Sequence, residues 1–420
     1  MNYRKLTALA LAASMVLPAT TAFAEGEAAD ITLWTYPIGS WGDAATVDGL
    51  IASFNEAYPD IHVTVEYLDY TNGDDTINTA IEGGQAPDLV MEGPERLVAN
   101  WGAKGLMVDL ADLWTDEAKE AIYDSVEAAC QSNDGVFYEY PLCMTAHTMA
   151  INRDVFEAAD ALQYLDEETR TWTTEGFVNA VKAVYESGQE NVGAVYCSGQ
   201  GGDQGTRALI NNLYGGTFTN AEHTEYTVES DENIKALELL TSMDGINFDA
   251  SIAGGDEINL FCNGTLAMAF CWNVSQEKNN LDTISFDVLP MSFPTESGDP
   301  QLCGGIWGFG IFDNGDEAKI AAAKTFIDFM ANDETQVVES VKASSYWPVK
   351  DLGVNIYEGD DLMTEYATFV QYMGDYYQVV SGWAEARTAW WNMLQQIGSG
   401  ADVATAVAEF SATANAAAAQ

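Results

Sequence analysis

The sequence predicts an α/β protein of two lobes, each a mainly parallel sheet flanked by helices and joined by hinge strands. Three observations carry that expectation. Residues 31–91 alternate strand and helix patterns in β-α-β-α-β order, which implies a parallel sheet with right-handed crossovers. Residues 142–151 are largely apolar at both odd and even positions, as a strand buried on both faces is. A second apolar run rich in glycine, residues 302–311, offers a return crossing. A chain that crosses twice between two cores leaves a cleft between them.

The elements follow in order. Residues 1–24 read as a signal peptide: Arg4 and Lys5 form a positive start, residues 6–16 are apolar, and Ala22-Phe23-Ala24 is a cleavage site. The apolar stretch is too short to span a bilayer. The first cysteine is Cys130, so none stands at the cleavage site to carry a lipid anchor. An exported protein in the periplasm or at the cell surface is expected, cleaved after Ala24. Residues 31–36 then form a strand, and 44–58 a helix with Val47, Leu50, Ile51 and Phe54 on one face and Pro59 closing it. Residues 61–67 alternate as a second strand. Asn72-Gly73 turns the chain into a short helix ended by Gly83-Gly84, and 89–91 is the third strand. In such sheets ligands sit beyond the carboxyl ends of the strands, here residues 36–43, 69–70 and 92–96.

The second lobe starts within the first crossing. A capping box at Thr173 or Thr174 opens a helix at 177–186, and 192–197 is a strand. The glycine-rich loop 198–205 lacks the Lys-Ser/Thr ending of a phosphate-binding loop. Helices are expected at 206–214 and 233–243. A helix and a strand follow over 257–272, the strand ending at Trp272, and 286–290 is a further strand. Asp316 caps a helix at 317–330, 344–348 is a loop, and the C-terminal part is helical with Trp383, Arg387, Trp390 and Trp391 on one face. The first lobe is expected to comprise 25–146 plus 304–334, and the second 147–303 plus 335–420.

Composition narrows the function classes. A chain with 47% hydrophobic and 11% aromatic residues has material for substantial cores, which excludes disorder. Sixteen basic residues against 65 acidic give a net charge of -49, a field that repels nucleic acid. Asn72-Gly-Asp-Asp75 and Asp313-Asn-Gly-Asp316 lack the spaced ligands of a calcium loop. The three histidines are scattered and there is no CxxC, so neither a metal nor a cofactor is expected. The six cysteines either pair, as Cys262 with Cys271 or Cys130 with Cys143, or are small buried residues.

Residues 54–65, 81–90, 140–156, 261–268 and 304–330 together resemble extracellular solute-binding proteins of the carbohydrate-uptake type, the maltose-type binding proteins of ABC importers. The resemblance implies a type II periplasmic-binding-protein-like fold closing about its hinge on a ligand. It implies a substrate-binding component without catalytic activity that hands a di- or oligosaccharide to the membrane permease. It places ligand contacts at Glu95 and Arg96 after the third strand, at Trp272, at Trp383 with Arg387 four residues on, and at Tyr36 and Trp41 after the first strand. Glu92, Trp307 and Trp347 are further cleft candidates. The chemistry is apt, since aromatic rings cover the apolar face of a pyranose while carboxylates and guanidiniums pair with its hydroxyl rim. A monomer is expected. The alternative, a secreted glycoside hydrolase, needs two carboxylates set across a scissile bond, and the chain has no recognisable catalytic motif.

Overall fold

The computed structural model describes residues 28–199 and 202–419. The expected signal peptide lies outside the described residues.

The alternating pattern at the start of the chain builds the larger sheet. Strands β1 (Ala29–Thr35), β2 (Ile61–Tyr67) and β3 (Leu89–Glu92) pair in parallel with β1 in the middle. The helix Ala44–Ala57 between β1 and β2 starts on Asp43, whose side chain accepts from Thr46 N–H. It buries Val47, Leu50, Ile51 and Phe54, and Phe54 meets Phe326 and Phe329 edge-on in the core of this lobe.

The first crossing is two strands rather than one. β4 (Tyr140–Ala146) belongs to the large sheet, while β5 (Thr148–Asn152) belongs to a second sheet. The break is the single residue His147, whose N–H bonds to Cys303 O at 2.9 Å. In the second lobe β6 (Gly193–Ser198) pairs in parallel with β7 (Ile246–Ala253). β8 (Met268–Trp272) and β9 (Val288–Met291) flank β5, both antiparallel to it. The return crossing is β10 (Gly304–Ile311), which enters the large sheet antiparallel between β3 and β4. With the two-residue β11 (Trp347–Pro348) the sheet order is β11-β4-β10-β3-β1-β2. The parallel order therefore holds where strands are joined through helices, and antiparallel pairing enters with the hinge strands.

The expected switch to the second lobe at residue 335 comes too early. The helix Gln336–Ser344 buries Val337, Ser340 and Val341, and Ser340 O accepts from Trp41 Nε1 at 3.0 Å. β11 pairs with β4, and Lys350 Nζ bonds Ala331 O at 3.0 Å. Residues 336–350 thus stay with the large sheet. The C-terminal helices pack against elements that follow the first crossing. On the helix Trp383–Gly398, Trp390 Nε1 donates to Thr206 Oγ1 at 3.0 Å and Gln395 to Cys197 O at 2.9 Å. Cys130, Cys143, Cys262 and Cys271 are buried thiols, so neither local pair forms. No helix among the described residues is long and apolar enough to cross a membrane.

Candidate functional site

A cavity of about 240 Å³ lies where the two sheets' loops meet. The carboxyl ends of β1, β2 and β3 bring Pro37, Tyr70, Glu92, Glu95 and Arg96 to it. The hinge supplies His147 and Trp307. From the second lobe come the starts of three helices: Asp203–Tyr214 with Asp203 and Gln204, Gly254–Cys262 with Gly254 and Gly255, and Val274–Asn280 with Ser275 and Gln276. Ile258, Cys271, Asn273, Asn279, Tyr346 and Arg387 complete the wall. Gly202 fits its place twice over: its φ is +81°, and a Cβ there would stand 3.0 Å from Cys271 Sγ.

A buried charge network runs along the first-lobe side of the cavity and reaches across to Arg387 on the helix Trp383–Gly398. Arg96 donates through Nε to Asp74 Oδ1 at 2.7 Å and through Nη1 to Glu92 Oε1 at 2.9 Å. The same Nη1 lies 3.6 Å from Glu95 Oε1. Arg387 Nη2 donates to the other oxygen of Asp74. Tyr36 donates its hydroxyl to Asp74 at 2.6 Å, and Tyr376 donates to Glu95 Oε2 at 2.6 Å. The Arg96 guanidinium sits 5.1 Å from the Tyr36 ring centroid and 5.7 Å from that of Tyr70, and the two rings stack at 5.1 Å. Burial pushes the Asp74 carboxyl up, but the two guanidiniums outweigh it and hold it well below the usual carboxylate range. For Glu92 burial wins: it pushes the carboxyl up to about 8, with Arg96 opposing.

The opposite character comes from aromatic and neutral polar groups. Trp307 stacks on Tyr346 with centroids 4.7 Å apart and planes 15° from parallel. The indole folds back over Gly305, where a Cβ would stand 2.0 Å from the ring. His147 lies 6.5 Å from Trp307, and burial, then Arg207, lowers its pKa to about 4, so the imidazole is neutral. His147 Nε2, Gln204 Oε1 and Gln276 Oε1 are buried without a hydrogen-bond partner among the described residues. Such atoms are costly unless a bound molecule satisfies them.

Of the residues expected from sequence, Glu92, Glu95, Arg96, Trp307 and Arg387 line this cavity. Tyr36 is buried beneath it, holding Asp74. The other four are placed elsewhere. Trp41 is in the first-lobe core, edge-on to Phe309 at 5.5 Å. Trp272 is fully buried against Phe261, and its Nε1 donates to Tyr366 Oη at 2.6 Å, which donates to Glu277 at 2.6 Å. Successive residues of a strand face opposite ways, so Cys271 faces the cavity while Trp272 faces the core. Trp383 is buried under the Arg207 guanidinium, 4.4 Å from its centroid. Trp347 sits on β11, edge-on to Tyr357 at 6.3 Å. Sequence reasoning missed Tyr346, His147, Gln204, Asn273 and Gln276. It noted Tyr70 only as part of a strand end, although that position carried the signal.

The family model for bacterial extracellular solute-binding proteins matches residues 38–337. Among curated protein sequences none matches significantly. Solved structures share the fold. One is an ABC substrate-binding protein from Listeria monocytogenes in complex with cycloalternan, with TM-score 0.74, 20% identity, and 92% of this chain and 98% of that one covered. Another is a solute-binding protein from Agrobacterium radiobacter K84 in complex with ribitol, at TM-score 0.75, 20% identity, and 93% and 99% coverage. A third is the GacH receptor of Streptomyces glaucescens, solved unliganded and with acarbose, at TM-score 0.71, 15% identity, and 92% and 97% coverage. With the match spanning most of the chain and both lobes in place, this protein belongs to the bacterial extracellular solute-binding protein family.

Proposed function

We propose that the protein is the substrate-binding component of an ABC-type sugar importer, capturing its ligand in the interlobe cavity and delivering it to the membrane permease. The observation that carries this reading is the pairing, in one cavity, of a stacked aromatic wall (Trp307 on Tyr346) with buried polar atoms that lack partners. A sugar ring presents both an apolar C–H face and a rim of hydroxyls, and so answers both. Several proteins of the same fold were solved with cycloalternan, ribitol or acarbose, which supports the class. A cavity of about 240 Å³ is small beside the ~300–1,000 Å³ typical of ligand pockets, so it suits a single sugar ring. A di- or oligosaccharide would require the lobes to part about the crossings at 147 and 303, closing again through differential affinity for the closed form.

The chain is exported, as its family implies; cleavage after Ala24, the absence of a lipid anchor and a monomeric state are parts of the same proposal. The test is a thermal-shift screen of mono- to tetrasaccharides on the mature protein, with the ligand analysed afterwards. A rise in Tm with the sugar recovered intact supports the reading. Release of a hydrolysis product would instead establish the glycosidase alternative.

A further inference from the structure

A second cavity, of about 500 Å³, shares no lining residue with the first and has about twice its volume. The last turns of the helix Asp203–Tyr214 line it, whereas the start of the same helix lines the interlobe cavity. Buried Arg207 stands between the two. It pairs with Asp203 of the first cavity and lies 5.0 Å from the ring of Phe218, which lines the second. The remaining walls come from within residues 214–219, 295–302 and 374–375. Three lining residues from three different segments, Asn211, Thr219 and Thr295, are only 8%, 5% and 7% exposed. Asn211 Oδ1, Thr219 Oγ1 and Thr295 Oγ1 are buried without a hydrogen-bond partner among the described residues. A fold keeps such atoms at a cost that a bound molecule can offset. Ala208, Phe218 and Leu302 add apolar surface. No lysine or arginine lines this cavity among the described residues, while Glu296, Asp299 and Asp375 do.

We propose that this cavity is a second binding site, separate from the interlobe cleft, which takes a neutral polyhydroxylated solute and holds its hydroxyls on Asn211, Thr219 and Thr295. A hydroxyl both donates and accepts, so it satisfies an amide oxygen and a threonine hydroxyl alike. The C–H skeleton of the same molecule meets Phe218 and Leu302. An anion would find carboxylates and no lining cation. A volume of about 500 Å³ lies within the range of ordinary ligand pockets and has room for a disaccharide or an extended polyol. The site adjoins the return crossing. Asn212 accepts from Gln301 N–H and donates to Gln301 O, both at 2.8 Å, and two residues on Cys303 O takes the hinge bond from His147. The proposal stands whether or not the interlobe cavity binds sugar.

The experiment is hydrogen exchange, read by mass spectrometry, on the mature protein with sorbitol, myo-inositol, sucrose, trehalose and maltose as probes. Each is used at up to about 100 mM, a concentration at which even millimolar affinities saturate. The series is repeated in Trp307→Ala, where the interlobe cavity is impaired. At least one probe should slow exchange in residues 208–219 and 295–302 of both proteins, and titration calorimetry on Trp307→Ala then gives its affinity. Thr219→Val combined with Thr295→Val deletes two hydroxyls that have no partner among the described residues, so the fold is retained, as thermal melts check. That pair should weaken the probe at least tenfold and leave any interlobe ligand within twofold. Asn211→Ser should weaken the same probe, and it carries the test if the double variant does not fold. Exchange unchanged by every probe means that water alone fills the cavity, which overturns the inference. Slowing that neither the valine pair nor Asn211→Ser diminishes overturns it too, as does slowing confined to residues 202–204 and 273–276, which belong to the interlobe cavity.

Discussion

At the scale of single residues, the tryptophans separate into two groups that sequence alone treats alike. Trp307 and Tyr346 form a stacked wall at the cavity, whereas Trp272 is locked into the core by its bond to Tyr366. Trp307→Ala should weaken the best sugar ligand by about 1–3 kcal/mol if its ring covers the apolar face, with a smaller effect on Tm, measured by titration calorimetry and thermal melts. Trp272→Ala should do the reverse, costing about 3–5 kcal/mol of stability in denaturant melts through the cavity left behind. Asp74 is a different case, because it holds two guanidiniums and the Tyr36 hydroxyl at once. Asp74→Asn leaves Arg96 and Arg387 buried with less charge to answer them, and a loss of about 3–5 kcal/mol of stability is expected in the same melts.

At the scale of elements, two buried glutamates tie second-lobe pieces together and make that lobe pH-sensitive. Glu257 on the helix Gly254–Cys262 accepts from the backbone of Phe270 at 2.5 Å and Cys271 at 3.0 Å, pinning that helix to β8. Burial, opposed by those two bonds, pushes its carboxyl up to about 8. Burial likewise pushes Glu277 up to about 7, against the Tyr366 bond. A carboxyl whose folded pKa is raised stabilises the fold in its protonated form. That contribution is complete below the unfolded value near 4.5 and is lost as pH climbs through 7 to 8. Thermal melts should therefore show Tm falling between about pH 5 and pH 8, and Glu257→Gln, which cannot ionise, should flatten part of that fall. A Tm that rises over this interval would contradict the assignment.

Local periodicity made many of these elements legible. The β1–β3 order follows from alternating patterns that each segment carries within itself. The placement of residues 336–350 was not legible, because β11 pairs with β4, about 200 positions earlier, and no local pattern encodes a partner that distant. The short helix after β3 that presents Glu95 and Arg96 was missed as an element, being only Pro94–Arg96 before it widens over Leu97–Gly102.

At the scale of the whole molecule, charge and connectivity dominate. With 65 acidic residues against 16 basic, the folded surface repels itself, and screening should relieve that repulsion. Raising sodium chloride from about 10 mM, where the Debye length is ~30 Å, to 1 M, where it is ~3 Å, should raise Tm at pH 7. A salt-independent Tm would show that the acidity is already balanced within the fold.

The sequence by itself determined the fold class and the two crossings, because strand and helix periodicities and glycine placement are local properties. It also brought Glu92, Glu95, Arg96, Trp307 and Arg387 into consideration, all of which reach the cavity. Only the tertiary structure decided which face of each element looks inward. A period of two assigns Cys271 and Trp272 to opposite faces, but whether a face meets solvent, core or cleft depends on what packs against it from elsewhere in the chain, here Phe261 and Tyr366 for the indole.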